Sequence, residues 1–273
     1  MNICVLGLWH LGSVISASVA SKGHKVIGID ENTKIINNLN RGKAPIYEPH
    51  LNKLIKNGLN SGNLTFTDDK KKAISAKILW VTFDTPVNEN DNADTNYVEN
   101  QVKKIMSNLK KNTIILFSSQ LPVGSIKKMK LYSEKKFPDK RFKFACSPEN
   151  LRLGNSLEIF LKPDRVIIGV AEKKTKIILS KFFKTITNKI EWMTIESAEM
   201  TKHALNSFLA TSIIFANEIA SVCEKVGADA SEVERGLKTD NRIGKKAYLS
   251  PGNPIAGGTL LRDVNFLNNK KKN

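Results

Sequence analysis

The chain has 273 residues, 41% hydrophobic and 25% charged, enough to bury a large core as one big domain or two modest ones. Its net charge of +17 comes mostly from lysines scattered over helix surfaces, such as Lys70 to Lys72, Lys103 and Lys104. The clustered arginines and interleaved aromatics of a nucleic-acid groove are missing, so no nucleic-acid partner is expected, while a basic surface suits anionic metabolites.

Apolar strand-like runs alternate with amphipathic segments from the start. "NICVLGL" reads as a strand without the basic region of a signal peptide. Then come a helix over 11–22, the strand "HKVIGID", and helices over 31–40 and 49–58. The strands "NLTFTD" and "KILWVTF" follow, then a helix over 94–108, "NTIILFSS", and a helix over 125–136. "FKFACSP", "DRVIIGV", a helix over 173–185 and a strand at "IEWMT" complete this part. Continuous apolar strands between helices predict a doubly wound, Rossmann-like α/β domain with a parallel sheet, residues 1–192. From Ile195 to Val226 there is neither Pro nor Gly, and apolar residues from Met200 through Phe208, Ile213 and Phe215 to Val222 recur at helical spacing. That predicts one long helix in a central all-helical domain, 193–273. Lys202, Asn206, Asn217 and Glu218 interrupt its apolar stretch, so a buried helix or dimer seam over 196–226 is expected, not a membrane span. The cysteines Cys4, Cys146 and Cys223 lack metal-ligand spacing and fit reduced thiols in a cytoplasmic protein, and no metal is expected.

The segment "GLWHLG", residues 7–12, has the features of a dinucleotide loop. Gly7 permits the tight turn after a strand, Gly12 lets the following helix pack on it, and the helix N-terminus offers amides to a pyrophosphate. Asp30 ends the next strand, eighteen residues after Gly12, where a carboxylate holds a ribose diol and repels a 2′-phosphate, so NAD is preferred over NADP. Trp9 stands where a glycine normally allows close backbone approach. Its indole must therefore point away, or the cofactor must sit slightly displaced.

Several ordered segments carry a family resemblance: "APIYEPHL" (44–51), "VTFDTPVNENDNADTNYV" (81–98), "SSQLPVGS" (118–125), "SPENLRLGNSLEIFLKPDRVIIG" (147–169), "AEMTKHALNSFLATSIIFANEIA" (198–220) and "GADASEVERGLKTDNRIG" (227–244). Over essentially its whole length the chain resembles the UDP-glucose/GDP-mannose dehydrogenase family, whose members oxidise a sugar C6 alcohol to a carboxylate with two NAD. The resemblance implies a nucleotide-sugar substrate and a homodimer built on the central domain. It makes Lys202 and Asn206, one helix turn apart, the groups that steady the reacting oxygen, with Glu149 acting through a water and Asp263 positioning a water or the Lys202 ammonium. Cofactor contacts fall to Gly7, Trp9, His10, Leu11, Gly12 and Asp30, with Thr85 and Gln120 on the nicotinamide side. Substrate contacts fall to Asn150, Leu151, Arg152, Arg242, Gly257 and Gly258.

The departures are specific. "AGGTLLRDV", 256–264, lacks the family's nucleophilic cysteine, so thiohemiacetal and thioester steps have no thiol. Leu153 replaces a loop glutamate, and Gln120 a threonine. The family's C-terminal nucleotide-binding domain has no counterpart in these residues. Three readings follow: an NAD-dependent nucleotide-sugar oxidoreductase, a catalytically impaired NAD-binding scaffold or truncated remnant, and a β-hydroxyacid dehydrogenase. "PIYEP" and "TDNRIG" count against the last.

Overall fold

The computed structural model describes residues 1–86, 93–149, 151–253 and 263–264. These fall into two compact units, Met1–Pro86 with Asp94–Met200, and a second from Thr201 onward.

The first unit is built on eight strands: β1 (Asn2–Leu6), β2 (Lys25–Ile29), β3 (Leu64–Thr67), β4 (Ile78–Val81), β5 (Ile114–Phe117), β6 (Lys143–Cys146), β7 (Val166–Val170) and β8 (Ile190–Met193). Their order is β3-β2-β1-β4-β5-β6-β7-β8. The direction of winding reverses between β1 and β4, which opens a crevice at the carboxyl ends of those two strands. Alternation along each central strand feeds two cores. Ile3, Val5, Trp80, Ile114 and Leu116 face one side, while Cys4, Leu6, Leu79, Val81, Ile115 and Phe117 face the other. A sheet covered on both faces needs such unbroken apolar strands. The helices are α1 (His10–Ser21), α2 (Thr33–Asn40), α3 (Leu51–Asn60), α4 (Thr95–Met106), α5 (Ser125–Lys136), α6 (Ser156–Leu161) and α7 (Lys173–Phe183). Trp80 is fully buried. Its indole N–H donates to Ser118 Oγ at 2.8 Å, and that hydroxyl donates to the Ser147 carbonyl at 2.6 Å. The relay ties the carboxyl ends of β4, β5 and β6 together.

One expectation is corrected. The sheet is not wholly parallel, because β7 runs antiparallel to β6. The nineteen-residue connection between them holds only the six-residue α6, which packs on α1. A parallel return would need a covering helix to carry the chain back along the sheet. Here the connection stays at the carboxyl edge, where it becomes part of the crevice wall.

A long helix, α8 (Ile195–Val226), runs from the first unit into the second and is followed by α9 (Ala230–Thr239). Among the described residues α8 is the one helix long and apolar enough, by length and composition, to cross a membrane. Its buried ridge differs from the apolar periodicity read in the sequence. Glu199, His203, Asn206, Ala210 and Ile213 are buried, while Met200, Phe208, Phe215 and Val222 are exposed. The polar members of the ridge are buried because they have partners. Glu199, for one, accepts from the N–H groups of Gly124 and Ile126 at 2.8 and 3.1 Å, and so caps the positive end of α5.

Candidate functional site

The crevice is shaped first by Gly7 and Gly12. Gly7 has φ +94°, and a Cβ there would lie 2.7 Å from the Phe83 ring, so only glycine turns the chain out of β1 at this point. A Cβ on Gly12 would stand 1.7 Å from the Gly7 carbonyl oxygen. The helix and the turn are in backbone contact. The Thr82 hydroxyl, buried at the end of β4, donates to that same Gly7 oxygen at 2.7 Å, which leaves the turn little freedom. At Trp9 the backbone has φ −68°, outside the left-handed region that favours glycine, and no side chain caps the helix. The indole is 46% exposed. Glycine is therefore not demanded at this position by backbone conformation. The first-turn amides of His10, Leu11 and Gly12 have no intrahelical partners, as at any helix start, and carry the positive end of the helix dipole.

Asp30 closes the loop from the neighbouring strand. Its carboxylate accepts from the Leu8 amide at 2.7 Å and from the Asn32 amide at 2.9 Å, so it is fixed before any ribose arrives, and a carboxylate has further acceptor positions. A tight turn, first-turn helix amides without intrahelical partners and a braced acid together fit an adenine dinucleotide.

Behind the loop lies a buried polar knot. Glu48, from "PIYEP", is 4% exposed and accepts from the amides of Gly154 (3.0 Å) and Ser156 (2.7 Å). His10 Nε2 lies 3.1 Å from Glu48 and 3.0 Å from Ser156 Oγ. The Ser156 hydroxyl already donates to the Arg152 carbonyl at 2.5 Å, so Nε2 must carry the proton that both oxygens share. Burial disfavours the Glu48 carboxylate, yet bonds from His10, Ser156 and Gly154 prevail and hold its carboxyl below the usual range. The knot fastens the 147–165 connection to the start of α1.

On the β4 and β5 side, the buried Thr85 hydroxyl donates to the Gln120 carbonyl at 2.6 Å; the structure brings this expected pair together. Glu149 stands half-buried three residues past β6. The Leu151 side chain packs against the hydrophobic core. Arg152 is exposed. Asn150, Gly257 and Gly258 lie outside the described residues.

In the second unit, α8 presents Lys202, His203 and Asn206. Asp263 is fully buried, its carboxylate 2.7 Å from His203 Nδ1 and also bonded to the Asn206 amide. Asn206 thus spends an N–H on Asp263. Arg242 is exposed and forms a two-pronged pair with Asp240 (3.1 and 2.7 Å). Cys4, Cys146 and Cys223 are all buried free thiols. Burial pushes the Cys4 and Cys146 thiols up, helped at Cys146 by the Glu199 carboxylate. Neither is a ready nucleophile.

Residues 1–187 match the NAD binding domain of the UDP-glucose/GDP-mannose dehydrogenase family, and residues 196–273 match its central domain. The chain belongs to that family. It is 35% identical over its whole length to a UDP-glucose 6-dehydrogenase of Rickettsia bellii, and covers 63% of that protein. The structure of a UDP-glucose dehydrogenase from Pyrobaculum islandicum superposes with a TM-score of 0.91 at 29% identity, covering 99% of this chain and 64% of that one. A GDP-mannose dehydrogenase from Pseudomonas aeruginosa gives 0.83 at 28%, covering 100% and 64%. The chain thus spans a little under two thirds of the length of these relatives. Membership makes the first unit an NAD-binding domain.

Thr82, Glu48, Ser156 and His203 have no role in the motifs of the sequence. Glu48 carried a signal, since a carboxylate between Pro45 and Pro49 in an apolar segment asks for a buried partner. His203, one residue past Lys202 and three before Asn206, carried a weaker one.

Proposed function

We propose that this chain is the NAD-binding part, 1–192, and the central helical part, 193–273, of a cytoplasmic nucleotide-sugar oxidoreductase of the UDP-glucose 6-dehydrogenase kind, acting on a sugar CH–OH group. The observation that carries this is the closely packed Gly7–Gly12 turn at the start of a helix with the braced Asp30, in a chain that matches the family through both domains. NAD supplies the hydride acceptor. The α1 amides hold its diphosphate, Asp30 its adenosine ribose, and Thr85 and Gln120 line its nicotinamide side. The Lys202 ammonium stabilises the developing alkoxide, which is worth a few kcal/mol where water is excluded. Asn206 and His203 hold Asp263, and Glu149 takes the proton through a water. The 150–152 loop, Gly257 and Gly258 receive the sugar, and Arg242 its diphosphate, for which a guanidinium is well shaped. The exposed stripe of Phe208, Phe215 and Val222 on α8 supports a homodimer seam in place of a membrane contact, since a large exposed apolar stripe asks for a partner.

A second reading is supported by the thiols. All three cysteines are buried, so oxidation stops at the first step, or the chain binds NAD without turnover. The test is incubation with NAD and a panel of UDP- and GDP-sugars, following absorbance of the reduced cofactor. One equivalent of reduced NAD per sugar supports alcohol oxidation alone. Two equivalents overturn the single-step account, and binding without reduction supports the scaffold.

A further inference from the structure

The acid that meets the ribose is followed directly by a second, Glu31. The two carboxylates face different neighbours. Asp30 is bonded to the glycine loop, whereas Glu31 accepts from Lys70 Nζ at 2.6 Å, Gln101 Nε2 at 2.6 Å and Lys104 Nζ at 3.1 Å. Lys70 opens the turn after β3, and Gln101 and Lys104 lie on α4. Glu31 therefore gathers cations from two elements onto the residue next to Asp30. The cluster borders an open cleft of ≈580 Å³ lined also by Tyr97 and Lys103. Burial and the nearby carboxylates of Asp30 and Glu31 push the Tyr97 phenol up, as expected where the phenol faces both acids.

This arrangement bears on which dinucleotide the crevice accepts. Successive Cα atoms are about 3.8 Å apart, so the cluster that Glu31 gathers begins one residue from the acid that meets the ribose, and Tyr97 adjoins both carboxylates. Lysines so placed are the groups that would welcome a 2′-phosphate as point charges. Lys70 is 25% and Lys104 53% exposed, so both ammonium groups remain in reach of a ligand. Asp30, Glu31, Lys70 and Lys104 balance in charge. A phosphate approaching the lysines must also approach two carboxylates, one of which already takes an N–H from each ammonium. Without the Glu31 charge the same wall becomes net positive.

We propose that Glu31 is a second determinant of NAD over NADP, acting by holding Lys70 and Lys104 in a neutral cluster beside the ribose site. Asp30 discriminates by direct repulsion and bonding to the diol. Glu31 discriminates by occupying the cations that a 2′-phosphate would use. The inference rests on NAD occupying the Gly7 loop, and adds to it a residue and a mechanism of selectivity.

The test is calorimetric titration of the chain with NAD and with NADP, comparing wild type, Glu31→Gln, and Glu31→Gln combined with Lys70→Met and Lys104→Met. Glu31 is exposed, and the amide keeps its shape, so the single variant folds; a circular dichroism melt verifies it. In Glu31→Gln, NADP binding tightens about tenfold, as two released cations near a dianion allow at moderate salt, while the Kd for NAD stays within twofold. The triple variant returns the NADP to NAD ratio to its wild-type value. An unchanged ratio in Glu31→Gln, or a gain that survives loss of both lysines, overturns the proposal while wild-type NAD binding leaves the cofactor reading standing. A wild type that binds neither dinucleotide overturns both.

Discussion

Replacing Gly12 with alanine puts the geometry of the loop to its sharpest trial. The new methyl would start 1.7 Å from the Gly7 carbonyl oxygen and 2.8 Å from Thr82 Oγ1. Backbone contacts to a Cβ do not fall below 3.0 Å, so α1 must move from the turn by more than an ångström. The obstacle is backbone and a fully buried threonine, so no flexible side chain can yield. Overpacking of this kind costs about 1–3 kcal/mol, and losing the Thr82 to Gly7 hydrogen bond adds about 1 kcal/mol. The sum, about 2–4 kcal/mol, lowers the melting temperature by about 5–15 °C. The same shift carries the Leu11 and Gly12 amides away from the diphosphate, and NAD affinity falls about a hundredfold or more, the equivalent of about 2.7 kcal/mol. Differential scanning calorimetry and NAD titration read the two effects. A Gly12→Ala chain that melts within 2 °C (roughly the shift of a neutral surface change) and binds NAD as wild type does would refute the argument.

Four further outcomes are expected. Trp9→Gly changes NAD affinity by no more than about threefold, because the indole is half-exposed and its φ is negative; a tenfold gain in a titration would show that the ring obstructs the cofactor. Asp263→Ala strands His203 and Asn206 in a buried site and costs about 2–6 kcal/mol in urea unfolding, about 1–3 kcal/mol for each stranded group, and a loss below about 1 kcal/mol would contradict the buried cluster. The bond from Lys70, with those from Gln101 and Lys104, lowers the Glu31 carboxyl from its ordinary 4.5 to about 2. A depressed acid stabilises the fold above its unfolded value and loses that contribution as pH falls from 4.5 toward 2. The group is 43% exposed, so solvent screening limits the contribution to about 0.5–1 kcal/mol. The stability gap between wild type and Glu31→Gln should narrow across that window in urea titrations, and a gap that widens would reverse the sign. Finally, Phe208→Glu with Phe215→Glu should yield a monomer by light scattering if α8 is the dimer seam, and a dimer that persists unchanged would remove that stripe from the interface.

Much of this architecture is legible in the residues. The strands announce themselves because a sheet buried on both faces needs unbroken apolar runs, and "CVLGL" and "ILWV" are such runs. The tight turn at Gly7 and Gly12 is legible in their spacing, since each answers a local steric demand. What is not legible depends on partners distant in sequence. The antiparallel entry of β7 follows from a connection held at the crevice by Glu48 and Ser156, more than a hundred residues apart. The buried ridge of α8 carries Glu199, His203 and Asn206, which a periodicity of apolar residues cannot find, because their burial is licensed by Gly124, Ile126 and Asp263. Glu31 looks like any surface acid until Lys70, Gln101 and Lys104 are seen to converge on it.

The central claim is that a dinucleotide rests its diphosphate on the first turn of α1 despite the neighbouring indole. A crystal structure of the chain grown with NAD tests this most directly. The account predicts the diphosphate against the Leu11 and Gly12 amides, with the adenosine ribose diol on Asp30. Density for NAD elsewhere, or the Trp9 ring lying across the helix start, would contradict it.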